Sequence, residues 1–257
     1  MPGWLVRIAL LAPGLLLLAV GAGFWAGAAW APGLWPWPDG RLSHLFLASM
    51  LLAQGGTIVW VGWTLELQAV RGGLVGLAAA AIGIAAHMFG LQESAASSAR
   101  WVWIGVGGSM AAGALVLLAL SGRFPVRDRR PTPALVRWSF LVFSLALGVG
   151  TAMLLLRAPV VFPWPLEPDS SVVFGFLFLA SAVYFFHGWL RPIVSNARGQ
   201  LIGFLIYDLV LIPPYLQHWG KTAGDYRISL IVYLVVLFGS ALLALWFFWR
   251  YPLRRAG

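Results

Sequence analysis

Eight long apolar runs separated by short polar breaks leave this chain few ways to fold. They cover roughly residues 4–30, 44–65, 72–92, 101–121, 135–157, 171–190, 200–218 and 228–249, each near the ~20 residues that carry a helix across a hydrocarbon core. Lipid offers the backbone no hydrogen-bond partners, and the runs lack the alternation of barrel strands. Each is therefore expected to be a helix, in an all-α integral membrane protein. Composition bears on what such a protein can bind. A net charge of +9 would suggest nucleic acid in a soluble domain, but the arginines here lie between apolar runs, where they meet lipid headgroups. Lipids are the expected partners, with other membrane subunits as a further class, and nucleic acid is excluded. The absence of cysteine removes disulfides, thiolate metal sites and thiol nucleophiles together.

Loop charge sets the expected orientation. Arg7, Arg71, Arg123, Arg127, Arg129, Arg130, Arg137, Arg191, Arg198, Arg250, Arg254 and Arg255 fall on one side. Only Arg41, Arg100, Arg157, Lys221 and Arg227 fall on the other, among Asp39, Glu93, Glu167, Asp169 and Asp225. The positive-inside rule then puts both termini in the cytoplasm of a bacterial inner membrane. The first run has the basic start and small residues of a signal peptide, but it is longer than a signal core and is expected to stay as the first helix.

Two proline-rich plugs, "LWPWPDGRLSH" at 34–44 and "FPWPLEPDSS" at 162–171, interrupt the apolar pattern in the same way. At an offset of 127, Ala31, Pro32, Pro36, Trp37 and Pro38 match Ala158, Pro159, Pro163, Trp164 and Pro165. The same offset carries Arg71, Gly72, Leu74 and Gly76 onto Arg198, Gly199, Leu201 and Gly203, then Arg100 onto Arg227 and Arg123 onto Arg250. "LVR" at 5–7 recurs at 135–137, three residues out of phase. The expectation is two parallel four-helix repeats, 1–126 and 127–257, about a pseudo-two-fold axis along the membrane normal. The charged linker near 121–133 reads as a solvated, lipid-contacting loop.

The PWP plug before a helix, and an apolar helix that ends in histidine before a polar turn, as in "LQHWGKTAGDYR", resemble a pattern of uncharacterised bacterial multispanning membrane proteins. The similarity covers mainly the second unit, since the first reads "AHMFGLQES". It implies a fold and no activity.

Chemistry is sparse in such a bundle. His87 and His218 end the third and seventh runs, and as repeat counterparts near the outer surface they could ligate one haem b from both sides with the plugs as a lid. The competing reading is that each caps helix-end carbonyls. A metal site adding His44, Glu93 or Asp225 has no ligand spacing within one helix. Gly72, Gly76, Ala79, Ala80, Gly83 and His87 form a small-residue stripe that lets a neighbouring backbone approach. Asp208 is the one acid well inside a run, which makes it a default site residue, with His187 and Tyr184 as expected partners for proton coupling or cation binding, or as a structural hydrogen-bonded group. Pro213 and Pro214 are expected to kink or break the seventh helix and to make any cavity asymmetric, because the first unit lacks the pair. Tryptophans at run ends, including Trp35, Trp37, Trp101, Trp103, Trp138, Trp164 and Trp249, read as interfacial belts.

No phosphate loop, catalytic triad or paired-carboxylate site is present in the sequence. Three functions stay open. The chain is a small non-enzymatic carrier or accessory subunit that binds a small or lipid-like ligand between its repeats, or a haem- or quinone-binding electron-transfer anchor, or a structural subunit of a larger membrane complex.

Overall fold

A computed structural model describes residues 3–91, 97–124, 126–222 and 224–252, so Glu93, Arg254 and Arg255 lie outside the described residues. Among those described, eight helices are long and apolar enough to cross a membrane, and the chain is a polytopic membrane protein. In order they are α1 Gly3–Ala26, α2 Arg41–Thr64, α3 Arg71–Gly90, α4 Ser97–Ser121, α5 Ala134–Leu155, α6 Pro168–Leu190, α7 Val194–His218 and α8 Asp225–Arg250. A 3-10 turn at Leu67–Val70 runs directly into α3, and the resulting 67–90 unit corresponds to α7 at the offset of 127.

The most extensive helix pairings are α1 with α2, α5 with α6, α3 with α4, α7 with α8, α3 with α6 and α2 with α7. This set is unchanged when each helix is exchanged for the one four places along. The halves therefore interleave: α2 reaches α7 and α3 reaches α6, giving two rows, α1–α2–α7–α8 and α4–α3–α6–α5. Of the inner helices α2, α3 and α6 are the most buried, 56% of the α2 span against 17% of the α4 span, while α7 and α8 are alike at 33%.

Backbone detail refines the register of the two halves. α1 and α5 end in the same way, with Gly27 and Arg157 at φ of 71° and 55°. The amides of Ala28 and Ala158 then donate to the carbonyls of Gly23 and Met153 at 2.9 and 2.8 Å, a Schellman-type ending. By this shared ending Ala158 takes the place of Ala28, an offset of 130, where the sequence match of Ala31 and Pro32 with Ala158 and Pro159 has an offset of 127. The "LVR" tripeptides and the ends of α1 and α5 share the offset of 130, and the PWP plugs that of 127.

The α3 stripe faces protein. Gly72 lies against the His187 side chain, Gly76 against the backbone of Ala180, and Gly83 against the Phe176 ring, all on α6. Ala79 departs from the expected stripe and is exposed. At the counterpart positions Gly199 meets Trp60, and Gly203 meets Thr57 and the carbonyl of Ala53 on α2.

The plugs are structural pieces of the core, and Trp35 and Trp164 are not belt residues. Their rings are buried, 4% and 7% exposed, whereas Trp101, Trp138 and Trp249 are exposed as a belt requires. Trp35 stacks on Phe174 with centroids 5.3 Å apart, and Trp37 packs edge-on to Trp35. Each plug ties into the opposite half: Trp164 Nε1 donates to Ser43 Oγ at 2.8 Å, while Asp39 accepts from Ser170 Oγ and from the Glu167 amide at the start of α6. Pro163 is buried beside Trp164, Pro36 is half-buried, and Pro38 and Pro165 stay exposed.

The linker is docked where a solvated loop was expected. Its amide at Thr132 donates to the Pro192 carbonyl, Val194 donates to Arg130, and Asp128 exchanges bonds with Ser195 at the start of α7. Asp128 also takes two bonds from Arg130, at 2.9 and 2.6 Å, and lies 3.7 Å from Arg198. The Arg130 guanidinium, aided by Arg198, holds the Asp128 carboxyl below the ordinary carboxylate range. A depressed folded value contributes stability above the unfolded value and loses it as pH falls through the folded one. Protection of the amides across 128–132, taken against the intrinsic exchange rate at each pH, should therefore fall on acidification, and Asp128→Asn should already show low protection at neutral pH with a flatter pH response.

Candidate functional site

A cleft of about 760 Å³ opens where the amino end of α2 meets the carboxyl end of α7. Its apolar wall comes from Trp25, Leu42, Leu45, Trp164, Pro213 and Pro214, and its polar mouth from Arg41, Gln217, His218 and Lys221. α7 runs unbroken through Pro213 and Pro214 to His218, so the expected break does not occur. The two prolines instead withhold the amide hydrogens that the Leu209 and Val210 carbonyls would have accepted in a regular helix. Arg41 holds its place by donating to the carbonyls of Phe24, at 2.6 Å, and Trp25, where α1 ends.

The position between α3 and α6 at the offset of 127 carries a charged cluster instead. At the offset of 127, Pro214 corresponds to His87 and Leu42 to Asp169. His87 Nε2 lies 3.5 Å from Asp169 Oδ1, and Arg157 reaches the same oxygen at 2.9 Å. An imidazole, a carboxylate and a guanidinium thus latch one side, where the other side has proline, leucine and open space. The two positions differ in chemistry, and the cleft lies on the side of the proline pair.

This register also corrects the pairing of the histidines. His87 corresponds to Pro214, and His218 to Leu91, so the two histidines are not counterparts. His87 is engaged with Asp169, His218 lines the cleft, and the ends of the halves meet in an aromatic cluster of Trp35, Phe46, Phe162, Trp164, Phe174 and Tyr215. Among the described residues no group of three or more His, Asp or Glu could hold a metal ion.

Asp208 faces protein, as expected, and is fully buried at 0% exposure. Its partner is Ser240 of α8, whose Oγ lies 2.9 Å from Oδ1, and the second carboxyl oxygen has no hydrogen-bond partner. His187 and Tyr184 are elsewhere. The Gln200 amide bonds the Tyr184 carbonyl, which puts Tyr184 level with Gln200, about 12 Å of helix rise from Asp208. Tyr184 lies against Gly73 and Gly199, His187 against Gly72, and Trp60 against Gly199. The expected trio is therefore two sites. The second is a waist where α2, α3, α6 and α7 meet, with the Tyr184 hydroxyl, His187 Nδ1, Trp60 Nε1 and Gln200 Oε1 all buried without partners.

Several participants escaped sequence reading. Ser240 looks like any small residue in an apolar helix, and Arg41 and Lys221 read as ordinary loop cations. The offset of 127 held a usable signal for the first of these, because Asp208 and Ser240 correspond to Ala81 and Gly113, a polar pair gained in one half only. Comparison with models of known families, with curated proteins and with solved structures gives no match to this chain.

Proposed function

We propose that this protein is a non-enzymatic carrier or accessory subunit that binds a lipid-like amphiphile with an anionic head in the cleft between α2 and α7. The observation that carries the reading is the lining of that cleft: an apolar wall deep enough for an acyl chain, with Arg41, His218 and Lys221 at its mouth. Its volume of about 760 Å³ suits a ligand of drug or single-chain lipid size. A cationic rim at the end of a transmembrane helix is where a headgroup phosphate or carboxylate stands. On this reading the two halves are copies of one unit, and the excess of arginine on the linker side sets both termini in the cytoplasm of a bacterial inner membrane. The cleft then opens toward the outer leaflet. The interleaved pairing and the matched glycine contacts support the duplication.

Native mass spectrometry of the detergent-purified protein, titrated with phosphatidylglycerol against phosphatidylcholine, tests the binding. The protein should retain the anionic lipid preferentially. His218→Gln with Lys221→Glu should weaken retention on the order of tenfold or more, because a hydrogen bond to a charged group contributes about 1.5–3 kcal/mol. Leu42→Trp should fill the cleft and lower retention of both lipids. Equal retention by wild type and all variants would remove the reading.

A further inference from the structure

We infer that Asp208 and Ser240 form a proton-binding site within the membrane-spanning region, in which a neutral carboxyl donates to the serine and the serine donates onward to the backbone. The argument is a count of hydrogens. Ser240 Oγ stands 2.7 Å from the Val236 carbonyl, 3.3 Å from the Leu237 carbonyl and 2.9 Å from Asp208 Oδ1. A serine hydroxyl has one hydrogen to give. The shortest contact is the in-helix bond to Val236, which uses that hydrogen. The contact with Asp208 then needs a hydrogen from the carboxyl itself. With the proton on Asp208 Oδ1, the two shortest contacts of Ser240, to Val236 and to Asp208, each have one hydrogen.

The ionised alternative leaves the site unbalanced. It would place a full negative charge at 0% exposure with one shared hydroxyl and nothing on Oδ2. Burial without a paired cation costs an ionised carboxylate several kcal/mol or more. The surrounding elements supply no such cation. On α7 and α8 the nearby titratable groups are Tyr207, Tyr215 and Tyr233. Arg227 and Arg250 of α8 lie about 20 and 15 Å of helix rise from Ser240. α2 carries no titratable residue beyond Arg41 and His44 in its first turn, and the Leu67–Val70 turn carries none. His187 of α6 is level with the waist, far from this carboxyl.

The first half shows that the helix pair does not need this group for packing. The counterpart pair α3 and α4 meets through Ala81, with Gly107 at the Ala81 carbonyl, and has no acid. A costly group present in one copy only marks a role beyond packing. The site stands on its own geometry, whether or not the cleft takes a lipid. It does lie on the same helix, five residues and about 7.5 Å of rise from cleft-lining Pro213, so a proton bound or released here acts on the helix that walls the cleft.

Infrared spectroscopy of the purified full-length protein in lipid, at neutral pH and after exchange into deuterium oxide, reads the proton directly. Wild type should show a carboxylic-acid carbonyl band that exchanges slowly. Asp208→Asn keeps the size of the side chain and should lose the band. Ser240→Ala removes the acceptor and should move the band to higher frequency without abolishing it. If Asp208→Asn fails to fold, aspartate carrying carbon-13 in its carboxyl, incorporated into wild type and into Ser240→Ala, should shift the same band. An acid band absent from wild type, or present unchanged in folded Asp208→Asn, would overturn the assignment.

Discussion

Gly76→Ala should be severely destabilising, while the same change at its counterpart, Gly203→Ala, should be nearly silent. A methyl on Gly76 would run into the backbone of Ala180, in contact with its carbonyl oxygen and 2.9 Å from its Cα. Backbone cannot rotate away as a side chain can, so α3 and α6 would have to separate along their whole contact. A methyl on Gly203 would meet Thr57 Oγ1 at 3.1 Å and the Ala53 carbonyl at 3.8 Å, which asks for a shift of a few tenths of an ångström. Both changes gain the same helix propensity, about 1 kcal/mol, so their difference isolates the contact. Overpacking costs about 1–3 kcal/mol and more where backbone must move. At roughly 2–4 °C per kcal/mol for a chain of this size, Gly76→Ala should lower the detergent melting temperature by roughly 6–12 °C relative to Gly203→Ala. Equal melting of the two variants would show that the two helix crossings are equally loose.

Removing the carboxylate of Asp39 should loosen the protein at the plug end by roughly 2–5 kcal/mol. Asp39 Oδ2 accepts from Trp35 Nε1 at 2.7 Å and from Ser170 Oγ, and Oδ1 accepts from the Glu167 amide at 3.3 Å. Trp35 and Ser170 are buried, so Asp39→Ala leaves two of their donors without a partner, each at a cost of about 1–3 kcal/mol. The carboxylate also stands at the amino end of α6, where the helix dipole favours negative charge. The double variant with Trp35→Phe separates the contributions. If the indole bond carries part of the cost, Asp39→Ala should cost less in the Trp35→Phe background than in wild type. A loss below about 1 kcal/mol in the single variant would mean the plugs are held by aromatic packing alone.

These two residues show how far the sequence could be read. Gly76 is recognisable as half of a GxxxG pair, which says that some backbone comes close. It does not say that the partner is Ala180 of the other half, or that Gly203 has a softer neighbour. Asp39 reads as a turn residue after a PWP motif, and nothing local announces that Ser170 and Glu167, far along the chain, come to it. The plug tryptophans mislead for the same reason. At the ends of apolar runs they look like belt residues, yet Trp35 and Trp164 are drawn inward because each plug packs on the other half. His187 and Asp208 do not share a depth, because α6 and α7 meet at Gln200, whose amide bonds the Tyr184 carbonyl about 12 Å of helix rise from Asp208.

What the sequence determined by itself is whatever depends on residues near one another along the chain. Helicity follows from composition, because a run of apolar residues in lipid must satisfy its own backbone, and the helix that results needs no partner to be defined. The offset of 127 between the two plugs likewise recurs in the starts of α2 and α6 at Arg41 and Pro168. The tertiary structure alone decided which helices meet, which of two equivalent grooves is latched by His87, Asp169 and Arg157, and which stays open beside Pro213 and Pro214. It alone gave Asp208 its partner in Ser240. Between helices in lipid, apolar burial scarcely favours one neighbour over another, so the choice rests on close backbone approach and single hydrogen bonds. Those depend on ångström-scale fit between segments distant in sequence, and composition and periodicity do not record it.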